Sequence, residues 1–196
     1  MNFLKKLLKS YRDSSKDKEI KEQPVYLSLD DSFVHNFIEK GGKFLYCVKT
    51  DEVLKNLKNI LLENNWTNLI CTDYDLVKFT NLLEVNVACR LSGKAPFFTT
   101  CEHLIASNGE ILFSSNQLGS TKLSELSEHF IVYATTSQLV KNTGEALTGI
   151  KTNFKGNIPT NISAIRNYSI KKNDDNFMNY GNNNSKNLYL LLFEDL

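Results

Sequence analysis

Between Thr99 and Ser115 the chain reads TTCEHLIASNGEILFSS, and its candidate chemistry is concentrated there. Thr99, Thr100, Ser107, Asn108, Ser114 and Ser115, with Asn116 just beyond, are small hydrogen-bonding side chains around a tight-turn signal, Ser107-Asn108-Gly109. Asn and Gly adopt positive φ at low cost, and Asn can bond its own backbone. Donors of this kind, helped by backbone N–H groups, can hold a phosphate or a carboxylate. Leu104-Ile105-Ala106 reads as a short apolar helix-like turn. Ile111-Leu112-Phe113 reads as a strand too apolar for a surface, which places it inside a sheet. Small polar residues at the mouth of a buried strand stand where open α/β sheets bind ligands. The competing reading is a plain helix-to-strand turn, and the spacing alone favours it.

Groups that could do more than bind flank the same turn. His103 could move a proton. Glu102 and Glu110 are the nearest carboxylates, and Glu110, opening the strand after the turn, is the candidate base or nucleophile if its side chain faces a pocket. Cys101 precedes Glu102-His103, and a thiol beside an imidazole can be an activated nucleophile; neighbouring residues in sequence, however, point in different directions. Arg90 and Lys94 are the closest anion anchors along the chain. Asp73, Tyr74 and Asp75 follow a strand and read first as a helix cap. His35 lies in a helix without a partner in sequence, and His129 opens a buried strand. The four cysteines, Cys47, Cys71, Cys89 and Cys101, form no CxxC pair, so no metal site and no cofactor is expected.

Length and charge bound the setting. A chain of 196 residues is one domain with a small appendage and can bury a core without staples. With 23 Lys+Arg against 22 Asp+Glu, no global field favours nucleic acid. Met1-Asn2-Phe3-Leu4-Lys5-Lys6 lacks the features of a secretory signal, and no run is long enough for a membrane span, so a cytoplasmic protein is expected.

The elements that must position these residues follow from periodicity. Asn2 to Tyr11 is an amphipathic helix, with Phe3, Leu4, Leu7, Leu8 and Tyr11 on one face and Lys5, Lys6, Lys9 and Arg12 on the rest. It is expected to pack on its own domain or on a second copy, which would make a homodimer; contact with anionic lipid is the other use of such a segment. A charged linker over 14–23 stops at Pro24, giving an N-terminal helix and linker over 1–29 and an α/β domain over 30–196. Asp31 or Ser32 caps a helix over 33–40. Phe44 to Val48 is a strand, and Thr50 caps a long helix. Leu69 to Cys71 is a strand, and Asp73 opens a helix through Leu83. Strands at 97–99 and 130–134, a helix from Ser137 to about Ile150, a polar excursion over 171–186 and a last strand over 188–193 complete the domain. Alternating helix and strand predicts a parallel sheet covered by helices on both faces.

Two pieces resemble a known family. Ile105-Ala106-Ser107-Asn108-Gly109-Glu110-Ile111-Leu112 is similar to the Ala-Glu-Thr-Gly-Thr plus apolar strand signature of the LUD domain family, which includes lactate utilization protein C and the B-type proteins. Gly156 to Ile162 stands where that family has a Gly-Pro-Ser-Arg-Thr-Ala-Asp-Ile loop, and Tyr180-Gly181 with Leu188 to Asp195 looks like its Gly-rich turn and closing strand. Ser107 and Asn108 replace the signature's acidic and hydroxyl residues, and the second loop lacks the Arg, which Arg166 could supply from another position. The resemblance implies a three-layer α/β/α domain with an open, mostly parallel sheet, of the NagB/RpiA/CoA transferase-like group. It brings Thr160 and Asn161 into the expected ligand site opposite Asn108-Gly109. It further implies an accessory subunit in bacterial oxidation of L-lactate to pyruvate, acting beside iron–sulfur and oxidoreductase proteins and binding a small anion. By analogy with the fold group, an enzyme on a sugar phosphate or an acyl-CoA is the alternative.

Overall fold

The structure is a computed structural model that describes residues 27–154, 156–169 and 184–195. Residues 1–26 of the expected N-terminal helix and linker over 1–29, Tyr180-Gly181 and most of the polar excursion lie outside the described residues.

The described chain begins with α1 (Leu29–Glu39), capped by the Ser28 hydroxyl rather than by Asp31 or Ser32. A turn at Lys40–Gly42 leads into β1 (Lys43–Cys47), followed by α2 (Thr50–Glu63), β2 (Asn68–Ile70), α3 (Tyr74–Thr80), β3 (Asn86–Ala88) and β4 (Phe97–Thr99). Next come β5 (His103–Ile105), β6 (Glu110–Phe113), the short α4 (Ser115–Leu118), β7 (His129–Thr135), β8 (Leu139–Val140), α5 (Thr143–Asn153), β9 (Ser163–Ile165) and β10 (Asn187–Phe193). Strand β3 was not legible in the sequence. Helix α5 starts later than expected: Ser137 lies in a 3-10 turn, and Asn142 caps the helix by accepting the Glu145 N–H at 3.0 Å.

Six strands form one sheet in the order β1-β10-β7-β4-β2-β3, and every pair in it is parallel. The period of two along a strand sends alternate side chains to opposite faces. On β7, Phe130, Val132 and Ala134 face one core and Ile131 and Tyr133 the other; on β10, Leu188, Leu190 and Leu192 oppose Tyr189 and Leu191. The second face is covered by Val53, Leu57 and Ile60 of α2 and by Leu76 of α3. Phe33 and Phe37 of α1 pack on the first face together with Leu104, Ile111 and Phe113. The result is an α/β domain of the three-layer α/β/α type with a mostly parallel central sheet, as the alternation of elements predicts.

Strand Ile111-Leu112-Phe113 is buried, but not in the main sheet. It lies in β6, at the middle of a smaller four-stranded sheet, β8-β5-β6-β9, that rests against the first face. Leu104-Ile105 is strand, not a helix-like turn, and β5 and β6 form an antiparallel hairpin. Ile105, Leu112 and Val140 of this sheet pack beneath Ala146 and Ile150 of α5. Two short crossings join the sheets: Thr100–Glu102 between β4 and β5, and Thr136–Gln138 between β7 and β8, while β5 and β8 pair in parallel.

Candidate functional site at the carboxyl edge of the sheet

Parallel strands present their carboxyl ends at one edge, where open α/β sheets take ligands. Here that edge carries Asp73 after β2, Thr99 to Glu102 at the end of β4, Thr135 to Gln138 at the end of β7 and Glu194-Asp195 after β10. Asp73 caps α3, its Oδ1 accepting the N–H groups of Asp75 at 2.9 Å and Leu76 at 3.2 Å. Its Oδ2 accepts the Thr100 hydroxyl at 3.3 Å. The Thr99 hydroxyl is buried and donates to the Thr100 carbonyl at 3.2 Å.

Glu102 is the best-held carboxylate of the edge. Its Oε1 accepts the Ser114 hydroxyl at 2.5 Å, the Asn116 amide at 2.8 Å and the Gln117 amide at 3.2 Å. The Gln117 carbonyl oxygen in turn accepts the Ser114 N–H at 2.9 Å. On the neighbouring crossing, Gln138 donates to the carbonyls of Cys101 at 2.5 Å and Glu102 at 3.3 Å while accepting the Thr135 N–H at 2.8 Å. Asp195 closes the edge: it accepts the hydroxyls of Thr136 at 2.7 Å and Ser137 at 2.6 Å and the Ser137 N–H at 3.0 Å. Those hydrogen bonds, Ser137 first, hold its carboxyl well below the usual range.

The expected site residues divide into two groups. Thr99, Thr100 and Ser114 meet at this edge. Ser115 and Thr160 adjoin it and hold each other: the Ser115 N–H donates to the Thr160 carbonyl at 2.8 Å and the Thr160 N–H to the Ser115 hydroxyl at 3.0 Å. Asn161, at φ 52°, donates to the carbonyls of Gly119 at 3.2 Å and Thr121 at 2.9 Å. Ser107, Asn108 and Gly109 are elsewhere. They form the hairpin turn at the opposite end of β6, roughly 15 Å away at the rise of a strand. The expectation that Asn108-Gly109 faces the Thr160 segment across a shared cavity is therefore corrected. The turn is also filled: Asn36 donates to the Ala106 carbonyl at 2.9 Å and Lys40 to the Asn108 carbonyl at 2.6 Å. A Cβ on Gly109, whose φ is +65°, would lie 2.6 Å from the Phe37 backbone nitrogen.

Glu110 goes with the turn. Its carboxylate pairs with Arg166 Nε at 3.3 Å, so Arg166 does not serve the carboxyl edge. Beside it the buried Tyr168 hydroxyl donates to the Gly109 carbonyl at 2.6 Å, and burial, then Glu110, pushes its pKa well above the ordinary value. His103 is wedged under α5: Nδ1 lies 3.4 Å from the Gln138 carbonyl, and Nε2 would be 3.1 Å from a Cβ on Gly149. Burial raises the Cys101 thiol far above its usual range, which removes the thiolate a nucleophile needs. Among the described residues no group of three or more His, Cys, Asp and Glu could hold a metal ion. Sequence reasoning passed over Thr136, Ser137, Gln138 and Asp195; the signal was available, since each follows an apolar run read as a strand.

No protein-family profile matches the chain, and no curated protein matches it significantly. Among solved structures it is similar to the crystal structure of a DUF162 family protein from Deinococcus radiodurans, with a TM-score of 0.59 at 12% sequence identity. The match covers 86% of this chain and 99% of that one, and DUF162 is the LUD domain family. The fold is of the LUD type. At that identity the likeness concerns architecture: the LUD-type fold explains the order of strands and helices, while the residues of the edge are this chain's own. No helix among the described residues is long and apolar enough to cross a membrane.

Proposed function

We propose that this protein is a binding subunit of a lactate-oxidising system. It takes a small anionic ligand at the carboxyl edge of its sheet and docks to iron–sulfur and oxidoreductase proteins that carry out the redox step. The observation that carries the reading is how the edge uses its carboxylates. Asp73, Glu102 and Asp195 are each engaged by local hydroxyls, amides or backbone N–H groups, and neither an imidazole nor a thiol is among those hydrogen-bond partners. Held in this way, the carboxylates order the edge that a ligand would meet. Arg90, exposed two residues past the end of β3, supplies a cation at the same edge for a carboxylate ligand. The LUD-type fold supports the place in lactate oxidation by analogy.

The test joins binding to physiology. Thermal-shift titration of the full chain with L-lactate and pyruvate should raise the melting temperature, and Arg90→Ala should reduce the shift. Deletion of the gene should slow growth on lactate, and an iron–sulfur protein should co-purify with the tagged chain. Normal growth on lactate together with no such partner would remove the reading.

An enzyme acting on a sugar phosphate or an acyl-CoA is the second reading, favoured by Glu102, a carboxylate oriented by three donors at a strand end. Under it Glu102→Gln abolishes turnover of such substrates and Glu110→Gln, at the far end of β6, leaves it. Turnover that survives Glu102→Gln excludes this residue as the reacting group.

A further inference from the structure

Strand β3 ends one side of the main sheet and pairs in parallel with β2 alone among the described residues. The register sets Asn68 beside Asn86, Leu69 beside Val87 and Ile70 beside Ala88. One step on, at the carboxyl ends of both strands, Cys71 stands beside Cys89. The ladder reaches that step, because the Cys71 N–H donates to the Ala88 carbonyl at 3.0 Å. The period of two along a strand then fixes the face. Leu69, Cys71 and Val87 belong to the core under α2 and α3, and Cys89, two residues past Val87, turns to the same side. Burial is the first influence on the Cys71 thiol and raises it; Asp73 and Cys89 are close enough to act on it as well.

Neighbouring strands lie about 4.7–4.9 Å apart, within the range of about 4.4–6.8 Å between Cα atoms that a disulfide bridges. We infer that Cys71 and Cys89, both free thiols in this structure, are a redox-active pair that closes to a disulfide across the ends of β2 and β3 by exchange with a low-molecular-weight disulfide of the glutathione class. The order of steps follows from exposure. Cys89 is exposed and Cys71 is buried. The Cys89 thiolate attacks one sulfur of the small disulfide, whose S–S bond breaks, and the first small thiolate leaves and takes up the proton that Cys89 gave up. Cys71 then attacks the Cys89 sulfur of the mixed disulfide; the second small thiolate leaves and takes up the Cys71 proton. The two cysteines lose two electrons and the small disulfide becomes two thiols. The second step is the slower one, because burial disfavours the Cys71 thiolate. No other thiol competes: Cys101 faces the opposite core, and Cys47 ends β1 at the far side of the sheet. The bond sits at the carboxyl edge, with Arg90 directly after Cys89 and Asp73 two residues after Cys71. This inference holds whether or not a ligand binds there.

The test treats the full, reduced, native chain at low concentration with an aromatic disulfide and follows the coloured thiol released. The expected result is one fast equivalent, then a slower second equivalent, leaving a monomer that carries no adduct and is lighter by two hydrogens, with the peptides of Cys71 and Cys89 joined. Oxidised glutathione should give the same end state, and dithiothreitol should reverse it. Cys89→Ser should lose both releases, and Cys71→Ser should stop at the first and keep the adduct. The wild-type mass and peptide map decide the matter even if a variant fails to fold. A wild-type chain that stops at one equivalent and keeps the adduct overturns the inference. So does a second equivalent that comes from a bond between the Cys89 residues of two chains, or from Cys47 or Cys101.

Discussion

Ser114 donates its hydroxyl to Glu102 at 2.5 Å and, with the same oxygen, accepts the Asn116 N–H at 3.1 Å. One side chain thus caps α4 and orients the carboxylate at the end of β4. Ser114→Ala removes both interactions at a fully buried position and should cost about 1–3 kcal/mol, the range for a lost cap plus a buried hydrogen bond. Urea denaturation measures the loss. In the Glu102→Gln, Ser114→Ala double-mutant cycle the two changes should be non-additive by about 0.5 kcal/mol or more; strict additivity would mean that the pair does not act together.

Gly109 sits at φ +65°, with its Cα facing the α1 backbone. Gly109→Ala meets left-handed strain of about 1–2 kcal/mol, and the Phe37 backbone must also move. A loss of about 2 kcal/mol or more in urea is expected. Ligand-induced thermal shifts, measured where the variant is folded, should be unaltered, because the turn is remote from the carboxyl edge.

The Asp195 carboxyl is held below its ordinary value of 3.8 in the folded state, chiefly by Ser137 and Thr136. Its contribution is therefore present above pH 3.8 and is lost as pH falls from there toward the lower folded value. Asp195→Asn should flatten the fall in stability below about pH 4 while leaving the profile between pH 6 and 8 parallel to wild type. An acid limb of unchanged slope would show that the Thr136 and Ser137 contacts do not persist in solution.

Of the four free cysteines, Cys89 is exposed and Cys47, Cys71 and Cys101 are buried. Burial also raises the Cys71 thiol to about 11. A native-state titration with an aromatic disulfide should find one fast thiol, which Cys89→Ser abolishes. Fast reaction of Cys101 in the native chain would contradict its burial beneath the edge.

The main sheet was legible because β7 and β10 are uninterrupted apolar runs, as strands covered on both faces must be. The Asp73 cap was legible for a local reason: Asp just before a helix accepts its first N–H groups. The small sheet was not. Leu104-Ile105 is too short to show a period, and Ile111 to Phe113 is equally apolar whether it lies between helices or between a sheet and a helix. Asn108-Gly109 was read correctly as a turn, but what fills a turn is a matter of long-range packing. Asn36 and Lys40, some seventy positions away in sequence, occupy the space a ligand would have needed. The edge itself is spread over four strand ends, so its members never appear together along the chain.

Gln138 binds both crossings between the two sheets, receiving the Thr135 N–H on one and donating to the Cys101 and Glu102 carbonyls on the other. Twin straps of three residues, tied to each other, thus couple the smaller sheet to the main one at the candidate edge itself, so that a contact made there bears on both sheets at once.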